Sequence, residues 1–190
     1  MRRLIYYIAC TVDKFIARAD GSFDFFLMEG DHVADLLKRF PETIPAHFRD
    51  KLSITAENQT FDAVVMGRET YEVGLKEGIA NPYPQMKQYV VSRTFKANPD
   101  PNVELVSTDP VAFVRALKQQ PGKDIWLCGG GSLATVLFPE IDEMILKVHP
   151  ILLGSGIPLF SGVIPLTSLE LIDNKLYSNG FMLLNYRIKH

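Results

Sequence analysis

The sequence predicts an α/β fold: a mixed, mostly parallel central sheet with helices on both faces and an antiparallel hairpin at the C-terminal end. Three observations predict it. Short, continuously apolar, β-prone runs recur along the chain, and runs without polar alternation suit strands covered on both faces. Amphipathic helical patterns separate several of these runs, the order that favours parallel pairing through crossovers. The final segment changes character and alternates on either side of a turn signal.

The apolar runs are residues 4–9, 63–66, 89–91, 125–128 and 144–148. After the first, Asp31 is placed to cap "HVADLLKRF", in which Val33, Leu36, Leu37 and Phe40 follow the spacing of a buried helical stripe. Residues 41–59 are the least legible, with a Pro-Glu-Thr-Ile-Pro break ahead of a candidate helix. Asp109 and Pro110 form a cap and first-turn pair for a helix with Phe113, Val114 and Leu117 on its apolar face and Gly122 as its stop. "SLATVLF" reads as a short helix ending at Pro139. Residues 168–176 and 181–189 then flank "SNG", a hairpin signal.

Composition narrows the functional class. With 190 residues, 47% apolar and 11% aromatic, the chain suffices for the core of one domain spanning residues 1–190. The formal charge of -2 comes from 20 basic and 22 acidic side chains without long blocks of one sign. No electrostatic footprint for nucleic acid or an anionic membrane results, so a small-molecule partner is expected. Cys10 and Cys128 each end an apolar run and read as buried free thiols of a reducing compartment. The N-terminal "MRRLIYYIACTVDKF" lacks a long apolar region and a small-residue cleavage site. No segment approaches the ~20 apolar residues of a membrane helix, and a soluble cytoplasmic protein is expected. The histidines at 32, 47, 149 and 190 show no metal-ligand spacing, so no metal site is expected.

Three stretches carry chemistry. In "WLCGGGSLA" three glycines, Gly129, Gly130 and Gly131, stand between a strand and a helix. Glycine costs roughly 0.5–1 kcal/mol relative to alanine inside regular structure, so the run implies close approach of a ligand, an unusual backbone, or both. Gly129, Gly131 and Ala134 satisfy G-x-G-x-x-A, but after a late strand, and the following "KVHPILLGSG" offers no carboxylate for a ribose. A conventional NAD-binding Rossmann unit is disfavoured, whereas a phosphate-binding turn at a helix N-terminus survives. In "VVMGRETYE" a strand ends at Gly67-Arg68, with Thr70 placed to help cap the next helix and Arg68 at its mouth. In "YVVSRTF" another strand ends in Ser92, Arg93 and Thr94, two hydroxyls around a guanidinium. Together these strand ends suit a pyrophosphate and an additional 2'-phosphate.

The ordered set "IACTVDKFIA", "VVMGRETYE", "YVVSRTF", "IWLCGGGSLATVLFP" and "DEMILKVHPILLGSGIPLF" resembles the dihydrofolate reductase fold. It is most similar to the subfamily containing the reductase domain of the riboflavin-biosynthesis deaminase-reductase. The resemblance implies a dihydrofolate reductase-like α/β fold and an NADPH-dependent reductase of a small heterocyclic substrate, most like 5-amino-6-(5-phosphoribosylamino)uracil. It implies that Gly67, Arg68 and Thr70 lie at the pyrophosphate and that Ser92, Arg93 and Thr94 take the 2'-phosphate. It further implies that Cys128, Gly129, Gly130, Gly131, Ser132 and Leu133 form the glycine turn, with a cis peptide between the first two glycines. Asp13, in "TVDKF", matches the acidic position of the subfamily's S-x-D-G motif near the substrate, although Thr11 and Lys14 replace its Ser and Gly.

The substrate side departs from folate reductases. Their first helix supplies a carboxylate to the pterin, whereas here Asp24, Glu29, Asp31 and Asp35 compete for that role and Phe25 stands where related proteins often carry tryptophan. Asp24, Phe25 and Ile151 are the substrate-side candidates. Phe15, Phe23, Phe25 and Phe26 form a candidate aromatic cover, and Asp20-Gly21 a candidate lid. Alternative readings are a nucleotide-binding, non-catalytic dimeric module and dihydrofolate reductase proper. Relatives of this type suggest a homodimer, with the apolar "PILLGSGIPLF" as a contact.

Overall fold

A computed structural model describes residues 1–95 and 100–189 of the chain. The strands are β1 Leu4–Thr11, β2 Phe15–Ala17, β3 Phe61–Gly67, β4 Lys87–Val91, β5 Val103–Val106, β6 Asp124–Gly129, β7 Ile141–His149, β8 Ile157–Pro158, β9 Leu169–Leu176 and β10 Met182–Ile188. The helices are α1 Asp31–Arg39, α2 Ala46–Lys51, α3 Arg68–Lys76, α4 Pro110–Lys118 and α5 Gly131–Val136. Eight strands form one sheet in the order β5-β4-β3-β6-β1-β7-β10-β9, and β2 pairs with β8 in a small second sheet. The six strands from β5 to β7 are mutually parallel, while β10 runs antiparallel to both β7 and β9. The predicted architecture, including the terminal hairpin, is the observed one.

Alternate residues of the parallel strands go to opposite faces, and both faces are covered. Leu4, Tyr6, Ala63, Val65, Ile125 and Leu127 pack with Val114 and Leu117 of α4 and Leu133 and Ala134 of α5. Ile5, Tyr7, Val64, Met66 and Trp126 form the other layer, with Tyr71 of α3, Phe40 and Leu36 of α1. This double burial explains why the strand runs are continuously apolar. By contrast β9 is a wet edge strand, with Leu169, Leu171 and Leu176 exposed.

Several local expectations need correction. Asp31 is the first residue of α1, not its cap; Gly30 holds that place at φ 131°, and the Asp31 carboxylate accepts the Ser178 amide at 3.2 Å. The buried residue of α1 is His32, while Val33, Leu36 and Leu37 are half-buried. Thr70 lies inside α3, which begins after Gly67 without a side-chain cap. The Asp109 cap is as expected, accepting from the amides of Val111 and Ala112, but α4 ends at Lys118, before Gly122 is reached. "SLATVLF" divides into α5 and a 3-10 turn at Phe138–Glu140.

Residues 41–59, illegible in sequence, are organised by one carboxylate. Glu42 is fully buried and accepts the amides of Gln59, Thr60 and Phe61 at 3.1, 2.7 and 2.6 Å, which ties the chain leaving α1 to the start of β3. Glu42→Ala leaves three donors without their acceptor, and buried unpaired polar groups cost ~1–3 kcal/mol each. Chemical denaturation is expected to show a loss of about 3 kcal/mol. A second expectation concerns Lys14, a non-glycine residue at φ 68°, a conformation that costs roughly 1–2 kcal/mol for L-residues. Lys14→Gly should raise the unfolding midpoint in the same assay, and a lowered midpoint would contradict the strain.

Candidate functional site

In a parallel sheet the carboxyl ends of the strands share one edge, where ligands bind in open α/β folds. Along that edge stand, in order, Ser92 after β4, Gly67 at the end of β3, Gly129 at the end of β6, Thr11 at the end of β1 and His149 at the end of β7. Adjacent strands are about 4.8 Å apart, so β4 and β1 lie ~14 Å apart across the edge. The three stretches singled out in sequence occupy consecutive places on it.

The three glycines have three different reasons. Gly129 has φ 127° and its peptide to Gly130 is cis, as the resemblance implied. A Cβ on Gly130 would make only ordinary contacts, with the Thr70 hydroxyl at 3.8 Å and Ile16 Cδ1 at 3.9 Å, so a small side chain is not sterically excluded there. A Cβ on Gly131 would fall 2.3 Å from the Pro158 carbonyl oxygen, so this glycine is required by packing against β8. Facing them, a Cβ on Gly67 would make ordinary contacts with the Gly129 carbonyl, Leu133 and the Gly130 amide.

Polar groups surround this junction. The Ala134 amide makes the first turn of α5 with the Gly130 carbonyl at 3.0 Å, so the amides of Gly131, Ser132 and Leu133 have no acceptor within the helix. Ser132 is exposed, and Cys128, half-buried, precedes the turn. Arg68 is exposed at the N-terminus of α3, within 3.6 and 3.9 Å of Glu72 and Glu69, a loose pairing that leaves the guanidinium accessible. Ser92 is buried and its hydroxyl accepts the amides of Thr94 and Phe95 at 3.2 and 3.1 Å. That turn holds Arg93 and Thr94 at the surface, Arg93 without an ion-pair partner among the described residues.

The substrate-side candidates are more dispersed. Asp13 is committed: it accepts the Thr11 hydroxyl at 2.5 Å and the amides of Leu153 and Gly154 at 3.1 and 2.7 Å. The Thr11 hydroxyl and the Gly154 amide hold this carboxyl at about 2. Thr11 also accepts the Phe15 amide at 3.0 Å, so it supplies the hydroxyl of the serine it replaces, and Lys14 takes the glycine conformation. Ile151 takes part through its backbone, its carbonyl accepting the Val12 amide at 2.9 Å. Asp24 is exposed and paired with Arg18, whose guanidinium lies 4.7 Å from the Phe25 ring centre. Phe26 is buried against His149, ring centres 4.4 Å apart, while Phe23 is exposed. Residues 18–22 form a closed turn, with the Arg18 amide on the Ser22 carbonyl and the Gly21 amide on the Arg18 carbonyl.

Sequence reading missed Lys147 in this region, whereas His149 was read as a structural histidine near the cleft. Lys147 of β7 pairs in register with Ala9 of β1, and its ammonium lies 4.2 Å from the Tyr7 ring centre. Burial lowers its pKa to about 8, with the Cys128 and Cys10 thiols as neighbours. His149, two residues on and so on the same face, accepts the Leu27 amide at Nδ1, 3.0 Å. Burial, then the Lys147 charge, lowers its pKa to about 3; the neutral ring therefore carries its proton on Nε2. A charged residue inside the apolar run "MILKVH" was the signal available for Lys147. Among the described residues no group of His, Cys, Asp and Glu side chains could hold a metal ion, and no helix is long and apolar enough to cross a membrane. His190 lies outside the described residues.

Comparison with known proteins places this geometry in a family. Two proteins of Bacillus subtilis (strain 168) align over nearly the whole chain. "Uncharacterized protein YwjB" is 33% identical over 188 residues, 96% of each chain. "Uncharacterized protein YyaP" is 30% identical, covering 97% of this chain and 94% of the other. Among solved structures, a putative riboflavin biosynthesis protein from Shewanella sp. PV-4 superposes with a TM-score of 0.72 at 25% identity, over the full length of both chains. A diaminohydroxyphosphoribosylaminopyrimidine deaminase/5-amino-6-(5-phosphoribosylamino)uracil reductase from Thermotoga maritima shares the fold, with a TM-score of 0.65 at 16% identity; the match covers 99% of this chain and 57% of that one. The sequence profile of the RibD C-terminal domain matches residues 2–183, and the chain belongs to the RibD C-terminal domain family.

Proposed function

We propose that the protein is an NADPH-dependent reductase that transfers hydride to a small heterocyclic substrate, most like the 5-amino-6-(5-phosphoribosylamino)uracil reductase of riboflavin biosynthesis. The observation that carries this reading is the alignment of Ser92, Gly67 and the Gly129–Gly130 junction on consecutive strand ends, with side-chain-free backbone at the mouths of α3 and α5. The residues fit a dinucleotide: glycines admit close approach, free helix amides and Arg68 suit a pyrophosphate, and Arg93 between two hydroxyls suits a 2'-phosphate. Bound there, a nicotinamide would supply the hydride. The chain supplies the rest. Gly67, Thr70, Gly130, Gly131, Ser132 and Leu133 would hold the cofactor, with Ile16 beside Gly130 and Cys128 packed on the Tyr7 layer behind the turn. Asp13 acts as a brace rather than an acid, fastening the β1–β2 turn to the 153–154 loop that borders the cleft.

Two features bear on the alternatives. Both aspartates of α1 point away from a folate-like role: Asp31 accepts the Ser178 amide, and Asp35 is bonded to the Tyr177 hydroxyl and paired with Lys175 at 3.0 Å. A homodimer belongs to the same reading; Leu152, in the segment expected at the contact, is 76% exposed. A non-catalytic nucleotide-binding module would bind NADPH without turnover, so binding and oxidation are separate tests.

Nicotinamide fluorescence on the purified protein should show NADPH bound in preference to NADH. Arg93→Ala is expected to weaken NADPH alone by roughly 10–100-fold, the size of a lost charge-assisted phosphate contact of ~1.5–3 kcal/mol. Absence of binding by either nucleotide would remove the reductase assignment. The glycine turn offers a sharper separation. Gly131→Ala forces a contact at 2.3 Å and should lower the melting temperature, overpacking costing about 1–3 kcal/mol. Gly130→Ala, whose Cβ makes only ordinary contacts with Thr70 and Ile16, should melt closer to the parent yet bind NADPH more weakly. Oxidation of NADPH by 5-amino-6-(5-phosphoribosylamino)uracil, followed at the nicotinamide absorbance, separates enzyme from binding module.

A further inference from the structure

Lys147 is the unusual charge of this protein. Among the described residues the other enclosed lysine, Lys118, is only 7% exposed at its side chain and is fully satisfied, donating to the Glu140 carbonyl at 3.1 Å and to Asp142 at 3.0 Å. Lys175 has Asp35. Lys147 has no carboxylate and no hydrogen-bond acceptor among the described residues; it shares its sheet face with the Tyr7 ring and neutral His149, with the Cys128 and Cys10 thiols within electrostatic reach. A cation–π contact offsets part of the desolvation of an ammonium, but an enclosed charge without a counter-ion is costly. Packing gives no reason for it, since Ile145, on the same strand face, belongs to the apolar layer.

Its place supplies the reason. Lys147 lies beside Ala9 of β1, two residues before the ends of both strands, and on the sheet face of Tyr7, against whose layer Cys128, the residue preceding the Gly129–Gly130 turn, also packs. It is therefore at the inner end of the cleft, where the proposed nicotinamide would meet its acceptor, and it retains partial solvent access. We propose that Lys147 is a substrate-binding residue whose ammonium receives an anionic or strongly polarised carbonyl oxygen on a planar acceptor ring, with the adjacent His149 Nε2–H as a second donor. The inference rests on the reductase reading for the location of the cleft. It reverses the polarity of a folate-type site: a cation takes the place of a carboxylate, so electron-rich rings are selected and protonated bases rejected.

The pH response isolates the residue. Of the groups facing Lys147, His149 titrates near 3, Cys10 is pushed by burial up to about 11 and Cys128 up to about 12, and burial raises Tyr7 as well. Tyr83, adjacent to Cys128, is also raised. Between pH 6 and 10 only Lys147, near 8, changes charge within this group. It is charged below that value and loses its proton above it.

The test uses two planar probes of similar size, barbiturate as a ring anion and 2,4-diaminopyrimidine as a base, each titrated calorimetrically into the protein saturated with NADPH. Barbiturate is expected to bind more tightly than the base at pH 7, and to weaken about tenfold per pH unit above ~8. Lys147→Met should bind barbiturate at least tenfold more weakly with a flat pH profile, while NADPH affinity is unchanged and the melting temperature is equal or higher. Tighter binding of the base, no binding of barbiturate, or a pH-independent affinity in the parent protein would overturn the proposal. NADPH binding is read first, so failure of the cofactor reading is seen separately. If Lys147→Met does not fold, the pH profile of the parent protein decides.

Discussion

The constraint on which the site depends is the contact between the ends of β3 and β6. A Cβ on Gly67 would lie in ordinary contact with the Gly129 carbonyl, Leu133 and the Gly130 amide, at 3.6–3.9 Å. Two strand ends without side chains leave the mouths of α3 and α5 opening side by side onto bare backbone. Under the proposed function, larger side chains there would occupy the space in which a ligand's phosphates would meet helix amides. The layers behind are correspondingly dense, with Val65, Ile125 and Leu127 on one face and Val64, Met66 and Trp126 on the other. Rigid strands thus carry the precision, and the exposed arginines at the rim carry the charge.

Around this junction the loops are fastened by carboxylates rather than by apolar packing. Glu42 collects three amides at the entrance to β3. Asp13 joins the turn after β1 to the loop after β7. Asp31 and Asp35 secure α1 to the terminal hairpin through Ser178, Tyr177 and Lys175. Each of these groups looks like a catalytic acid when seen as a letter in a sequence. Each is used up by local donors, which is why the acids of this chain hold the cleft together and leave its inner wall to Lys147.

His149 shows how one buried residue serves the frame and the cleft. Its Nδ1 receives the Leu27 amide, and its ring packs on Phe26 and Phe181 with centres 4.4 and 4.8 Å away. Residues 26–27 are thereby anchored to the end of β7. His32, stacked on Phe181 at 4.2 Å, extends the same aromatic cluster to the hairpin. The cover of the cleft is therefore partly structural core, and the four phenylalanines grouped together in sequence separate into buried Phe26, half-buried Phe15 and Phe25, and exposed Phe23.

By itself the sequence determined the fold class, the parallel character of the sheet, the terminal hairpin and the three strand-end motifs. These are local signals: period, turn chemistry and glycine placement within a few residues. Tertiary structure alone decided which polar groups were spoken for. Asp13 and Glu42 find donors 140 and 17–19 residues away, and the lowered pKa of Lys147 comes from its burial in the folded chain. The division of labour among Gly129, Gly130 and Gly131 is equally invisible in three identical letters, because it is set by what faces each one: a backbone turn, the Thr70 and Ile16 side chains and the Pro158 carbonyl. Local propensity is written along the chain, whereas satisfaction of charge and occupation of space are properties of neighbours that only folding brings together.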